Sequence, residues 1–530
     1  MGLPALEQRT VLATLERALE RAPDDVAQID RAGRWTTAQA FDRSRRLGSG
    51  LHGLGVRPDA PVALMVDNSF DAVHTALGLA LVGGVQVPVN TAYKGGFLAH
   101  VLRDSGSEVL VVEPGYVERV LAVADEVPAL HTVVVLGETA PSSTRFRVIP
   151  WAELETARPA DPVRRGPGDL MAIMYTSGTT GRAKGVLVPH AHAYTYASRE
   201  HLERPGPGDR SLVTLPIFHL AGQWYGVYQA LIHTIPCVLE PGFSVSGFWR
   251  AVREHGITYT TMLGAVAELL AQTPPAPDDA DNPLELAVMA PLASDVAGFR
   301  RRFGTDVAAV YGMSEIGCVL DGPPASIVGG ECGFPRTGFT LRLVDEAGEE
   351  VAPGQIGELL VRPEEPHTVM AGYHGLPEVT ARTIRDGWVH TGDAFRTDAE
   401  GRFFFSDRMK DALRRRGENI SSFEVESVVN AHPDVYESAV VAVPSEVGED
   451  EIKVVVVPQQ GATVDPEQLT YFLVDRLPYF MVPRYVELAA ELPKTPTHKV
   501  QKARLRESGA TGWDREAAGI RVRRTGVTSR

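Results

Sequence analysis

Apolar positions fall first into short solid runs and then into helical stripes, and the two alternate. PVALMVDN (61–68) is a strand-like run, SFDAVHTALGLALVGG (69–84) a helix closed by glycines, and VQVPVN (85–90) a second strand. KGGFLAHVLRDSG (94–106) and SEVLVVEP (107–114) repeat the helix–strand order. Such alternation implies right-handed crossovers and a mainly parallel sheet. It returns in GDRSLVTLPIF, a helix around GQWYGVYQALIH, the strand of TIPCVLEP and the helix FSVSGFWRAVREHG. From about Glu331 the texture changes to short, turn-rich strands, GFTLRLVDEAGEEV, GELLVRP and GRFFFSDR, which read as an antiparallel, barrel-like β subdomain. Beyond DRMKDALRRRGENISSFEVESVVNAHP, the runs VYESAVVAVPS, IKVVVVPQQG, PEQLTYFLVDRLP and YVELAAELP form a small α+β unit. The expected organisation is α/β: a large parallel-rich domain with its β subdomain over 1–407, a C-terminal unit over 408–515, and a disordered basic tail over 516–530.

Composition narrows the function classes. A chain of 530 residues exceeds a single core. Net charge −15 argues against a general nucleic-acid binder, which needs a basic face. No run of about 18 apolar residues is present to span a membrane. The opening MGLPALEQRTVLATLERALE carries acidic residues inside its apolar periodicity, so it reads as an amphipathic helix and not a secretion signal; a cytoplasmic protein is expected. Cys237, Cys318 and Cys332 are odd in number and lack metal-site spacing, which leaves buried apolar roles. Lysine occurs only at Lys94, Lys184, Lys410, Lys453, Lys494, Lys499 and Lys502, so a mobile point charge has few sources. Lys453 and Lys502 read as surface lysines.

MYTSGTTGRAKGV (174–186) sets three glycines, a Ser/Thr cluster and a lysine behind the apolar run Leu170–Ile173. Backbone N–H groups of a glycine-rich turn converge on an anion, and hydroxyls add donors or a magnesium contact. The segment suits a polyphosphate, with a plain surface linker as its compositional rival. It is not the G-x-x-x-x-G-K-[ST] loop, because no Ser or Thr follows Lys184.

Together with LPIFHLAGQ, VYGMSE, GWVHTGD, DRMKDALRRRGENISSFEVE and LPKTPTHKVQK, in that order, this segment makes residues 10–510 resemble the acyl-adenylate-forming superfamily. Within it, the wording is similar to CoA ligases of the carnitine/crotonobetaine type. The resemblance implies a two-step reaction: a carboxylate attacks the α-phosphate of Mg·ATP, releasing pyrophosphate, and the thiol of coenzyme A then takes the acyl group and releases AMP. It places Ser177, Gly178, Thr179, Thr180 and Gly181, with Lys184, around the phosphates, and Thr176 and Glu315 at Mg²⁺. Ala290, Pro291, Gly312, Met313 and Ser314 would border the nucleotide, Tyr311 would stack on adenine, and Asp393 and Arg408 would hold the ribose. Lys499 would meet the carboxylate and α-phosphate, with Glu315, His219 and Thr180 as its catalytic partners. The C-terminal unit would act as a mobile lid hinged at Lys410, with Arg414 and Gly417 serving the second half-reaction and Lys453 and Lys502 on the surface or near the CoA phosphates.

On the acid side, His219 stands at the family's gate, beside Ala221, Gly222, Trp224 and Gly312. Amino-acid-activating relatives carry an aspartate here. Phe218-His219-Leu220-Ala221 would leave an α-ammonium unpaired, which disfavours such a substrate. Two departures stand out. VMAPL puts Val288 and Met289 where many relatives have glycines, which should narrow the acid pocket, and THK sets His498 beside Lys499. The principal reading is an ATP-dependent CoA ligase for a small carboxylic acid. The alternatives are activation for another acceptor, such as a carrier protein or, through nitrite, an aromatic amine, and a non-catalytic nucleotide-binding regulator. The acid, the pathway and the oligomeric state have no signature.

Overall fold

The computed structural model describes residues 3–139, 141–176, 183–323, 330–408, 413–415, 418–420, 422–444, 450–477, 481–494, 500–523 and 526–529. The expected amphipathic helix forms over Val11–Arg21. The Thr10 side chain caps it by accepting from the Ala13 N–H, and Val11, Leu12, Leu15 and Ala18 are buried. The helix Phe70–Leu81 is capped in the same way by Ser69, and its Gly78 meets Gly48 of the helix Thr37–Gly53 so closely that a Cβ on either would strike the other helix's backbone.

Two sheets carry the large domain. The first is eight-stranded, running from Gly372–Tyr373 through Lys184–Pro189, Leu170–Thr176, Val85–Pro88, Pro61–Met65, Val109–Val112 and Thr132–Val135 to Arg147–Pro150. From Leu170–Thr176 onward its pairs are parallel, as the strand–helix alternation requires; only the pairs made by Lys184–Pro189 are antiparallel.

The second sheet has fourteen strands. Val26–Ile29, Cys237–Leu239, Ser211–Val213, Tyr259–Met262, Leu286–Met289 and Asp306–Met313 form its parallel part. Antiparallel strands then continue the same path through Gly317–Asp321, Glu331–Pro335, Phe403–Arg408, Trp388–Thr397 and Gly357–Pro363 to Phe339–Val344. The antiparallel texture expected from Glu331 is present. It extends the parallel sheet without closing, among the described pairings, into a separate barrel.

Beyond residue 420 the strands Val435–Pro444, Asp450–Pro458, Tyr485–Leu488 and Trp513–Asp514 form a four-stranded sheet with its own core, which includes Val425, Val440, Val454, Leu469 and Leu473. The basic end departs from expectation. Ile520–Arg523 pairs with Gly526–Ser529 as a hairpin, and Val522 is buried in this core. Apolar Ile520 and Val522, spaced by two, give the short basic segment a strand's inward face. Lys453 and Lys502 are also corrected: neither is a free surface lysine. Lys453 is fully buried and donates to Ser508 Oγ, Thr511 Oγ1 and the Gly509 carbonyl while pairing with Glu487; Lys502 pairs with Glu426 at 2.9 Å.

No helix among the described residues is long and apolar enough to cross a membrane. All three cysteines are buried, and burial pushes Cys318 up to about 11 and Cys237 and Cys332 up to about 12.

Candidate active site

Side chains join the two sheets around Lys184, Tyr373 and Glu315. Thr176 closes Leu170–Thr176 directly across from Lys184 in the antiparallel pair, at the carboxyl end of a parallel-sheet strand. Ser177, Gly178, Thr179, Thr180 and Gly181 lie outside the described residues, as do Lys410, Gly417 and Lys499. The hairpin's stem is held from the side: His100 Nε2 donates to the Ala183 carbonyl at 2.8 Å, and the Tyr175 hydroxyl donates to Asp104 at 2.6 Å.

In the second sheet, Asp306–Met313 turns back into Gly317–Asp321 with Met313 opposite Gly317, which sets Glu315 on the tight turn. Gly312 is required just before it: a Cβ there would lie 2.4 Å from the Gly317 carbonyl oxygen. Glu315 is buried, accepts from the Tyr373 hydroxyl at 2.8 Å, and receives the Met370 N–H on its carbonyl at 2.9 Å. The Lys184 ammonium lies 4.8 Å from the centre of the Tyr373 ring. Since Tyr373 is paired to Val186 of the first sheet, this one tyrosine ties the hairpin stem to the glutamate.

His192 stands between two carbonyls, with Nε2 2.9 Å from that of Ser314, next to Glu315, and Nδ1 2.9 Å from that of Thr368. His192 is fully buried; desolvation lowers its pKa, opposed by these two carbonyls. Four residues before Glu315, the Tyr311 hydroxyl donates to Asp393 at 2.7 Å, and the Tyr311 ring packs edge-on against Phe395 at 4.7 Å. Asp393 in turn stands across from Arg408 in the antiparallel pair. Arg414 lies opposite Asn419 on the short hairpin of the C-terminal unit.

The acid side starts from Asn68. Its amide donates to the Leu215 and Glu240 carbonyls, both at 3.0 Å, and accepts from the Ile217 N–H at 2.9 Å, pinning the segment that delivers His219. The His219 ring packs on Phe218 at 4.7 Å, followed by Ala221 and by Gly222, whose missing Cβ would lie 2.3 Å from the Pro216 oxygen. The helix expected from Gly222 to His233 is a π-helical turn over Gln223–Tyr228 that passes into an α-helix at Gln229–His233. Ala290 and Pro291 follow the strand Leu286–Met289, and the Gly264 N–H donates to the Pro291 carbonyl at 3.0 Å.

Two acid-pocket expectations are corrected. Val288 and Met289 are consecutive strand residues and point to opposite faces. Val288 packs with Tyr225, Tyr259 and Cys318, whereas Met289 packs with Phe299, Phe303 and Leu270 under the helices, so they do not narrow one pocket together. Trp224 is fully buried against His192 and Tyr196 in the core and does not form an open pocket wall. Tyr373, His192, His100 and Asn68 carry no signature within the motifs; only the topology brings them to the site.

The Glu315 carboxylate and the Thr176 hydroxyl are hard oxygen donors, the type Mg²⁺ takes. The AMP-binding enzyme family matches residues 15–374, and the AMP-binding enzyme C-terminal domain matches residues 424–499. The chain is 32% identical over 478 residues to feruloyl-CoA synthase of Amycolatopsis sp, covering 89% of this chain and 93% of that one. It is 30% identical over 519 residues to the fatty acid–acyl-carrier-protein ligase ScoC of Streptomyces coeruleorubidus, covering 94% and 96%. To the crotonobetaine/carnitine–CoA ligase of Salmonella paratyphi A it is 29% identical over 489 residues, covering 88% and 92%. The crystal structure of the anthranilate CoA ligase AuaEII with anthranoyl-AMP superposes with a TM-score of 0.85 at 26% identity, covering 94% and 97%. The chain belongs to the AMP-binding enzyme family.

Proposed function

We propose, from that membership as premise, that the chain is an AMP-forming acid–CoA ligase acting on a small carboxylic acid. The observation that carries this reading is the chain of contacts from Thr176 and Lys184 through the Tyr373 ring to Glu315 and, four residues back on Asp306–Met313, from Tyr311 to Asp393 on a neighbouring segment. It offers side chains for phosphate at one end and for a nucleoside at the other.

In the first step the acid's carboxylate attacks the α-phosphorus of ATP, and the bond to pyrophosphate breaks. Such in-line transfer needs positioning and charge neutralisation more than covalent help. Tyr311, Asp393 and Arg408 hold the adenosine, Lys184 and the 177–181 segment hold the phosphates, and Lys499 supplies a cation at the α-phosphate. Ala290, Pro291, Met313 and Ser314 border the nucleotide. Thr176 and Glu315 would hold Mg²⁺, which when bound neutralises phosphate charge. His219 separates the ATP side from the acid. In the second step a thiol attacks the acyl carbon and AMP leaves; turning the C-terminal unit about Lys410 presents Arg414 and Gly417 to this step.

The carrier-protein alternative draws support from the likeness to ScoC. The test is a half-reaction assay. With ATP and Mg²⁺, a panel of short and aromatic acids should release pyrophosphate, and added CoA should yield one thioester and one AMP per turnover. Thioester formation only on a carrier protein would replace the acceptor; no acid-dependent pyrophosphate release from any acid would overturn the reading.

A further inference from the structure

His192 lies in no motif, yet it touches both segments that enclose Glu315. Its Nε2 contacts the Ser314 carbonyl at the turn that carries the glutamate. Its Nδ1 contacts the Thr368 carbonyl, two residues before Met370, which donates its N–H to the Glu315 carbonyl, and five before Tyr373, which donates to the Glu315 carboxylate. The ring is fully buried, braced edge-on by Trp224 at 6.4 Å, and a Cβ on Gly317 would lie 3.4 Å from it. The turn 313–317 and the strap 368–373 are far apart in sequence and meet at the glutamate. A rigid two-ended polar ring between their carbonyls fixes the spacing of one against the other. A buried polar side chain of this kind, if it served packing alone, would be replaceable by an apolar ring of similar size.

We infer that His192 is a positioning residue for the Glu315 turn, acting chiefly through Nε2–H on the Ser314 carbonyl, and that it thereby sets the affinity of the enzyme for Mg·ATP. This rests on the reading of Glu315 as the metal-side carboxylate.

The chemistry of the two nitrogens supplies the test. A glutamine places its amide nitrogen near the Nε2 position and an asparagine near the Nδ1 position, while phenylalanine fills the ring's space with no donor. Four variants are compared with the parent: H192F, H192N, H192Q and E315A. Each is assayed for KM of Mg·ATP, KM of CoA, kcat, the Mg²⁺ concentration for half-activation, and Tm. H192F should raise KM for Mg·ATP and the Mg²⁺ requirement about tenfold, the loss expected for one buried hydrogen bond, with KM for CoA unchanged. H192Q should return both to within about twofold of the parent, and H192N should not. Should H192F fail to fold, the glutamine–asparagine contrast decides alone. An asparagine variant equal to or better than glutamine, or nucleotide parameters that merely follow Tm across the series, would overturn the inference. E315A with normal Mg²⁺ dependence would instead remove the reading of Glu315 on which it stands.

Discussion

Glu315 and Asp393, read as nucleotide-side residues, each accept a hydrogen bond from a tyrosine hydroxyl of another segment, whereas Val288 and Met289, read as acid-side residues, pack in apolar clusters. The two sides share the strand pair Leu286–Met289 and Asp306–Met313. The first is therefore sensitive to single atoms and charges, and the second to volume. A buried polar contact has a defined geometry and leaves its partner unsatisfied when broken, while an apolar cluster tolerates exchange at constant volume.

The most severe break of the nucleotide side is Glu315→Gln, which keeps the shape and removes the charge. Adenylate formation should fall about 10²–10³-fold, the scale of losing one preorganised electrostatic group, with Tm nearly unchanged. Single-turnover pyrophosphate release measures it. On the acid side the counterpart is Met289→Ala, which should cost about 3 kcal/mol of stability, within the range for truncating a buried methionine, and leave acid preference as it was. Val288→Ala, equally buried on the strand's other face, should also cost stability, about 2 kcal/mol from lost burial; equal changes of acid preference in both variants would erase the distinction between the strand's two faces. A smaller effect is expected from Tyr373→Phe, which deletes only the hydroxyl on Glu315. A loss of about 1–3 kcal/mol in kcat/KM for ATP should follow, with CoA dependence unaltered.

The smallest effect lies outside both sides. Fully buried His74 donates to Gln28, and burial together with Arg43 holds its pKa down to about 3. A histidine depressed below its unfolded value of about 6.5 stabilises the fold fully above that pH and loses the contribution as pH falls toward the folded value. About 1.4 kcal/mol should be gone by pH 5.5, and His74→Gln should flatten that part of the profile in urea titrations at stepped pH.

Sequence legibility followed the same division. Glu315 and Asp393 could be singled out because they sit in short local motifs: Glu315 follows YGMS, and Asp393 ends GWVHTGD. Strand–helix alternation likewise announced the parallel sheets, since period and length are local properties. Tyr373, His192 and Asn68 were invisible because their roles depend on strands paired far along the chain. Val288 and Met289 were read as one filled wall, although adjacency in a strand means opposite faces once the strand is buried on both sides. The basic end was read by its charge, which concealed that Ile520 and Val522 alternate inward.

One pairing in the fourteen-stranded sheet bears on how the chain is made. Val26–Ile29 can form its antiparallel pair with Arg34–Thr36 as soon as both emerge from the ribosome, but its parallel partner Cys237–Leu239 is synthesised roughly 200 residues later. At about 5–20 residues per second, the early hairpin waits on the order of 10–40 s with one edge open. During translation that edge is exposed to pairing with neighbouring nascent chains. Yield in a fast-translating host should therefore depend on the interval between these two segments, a kinetic demand separate from the stability of the finished fold.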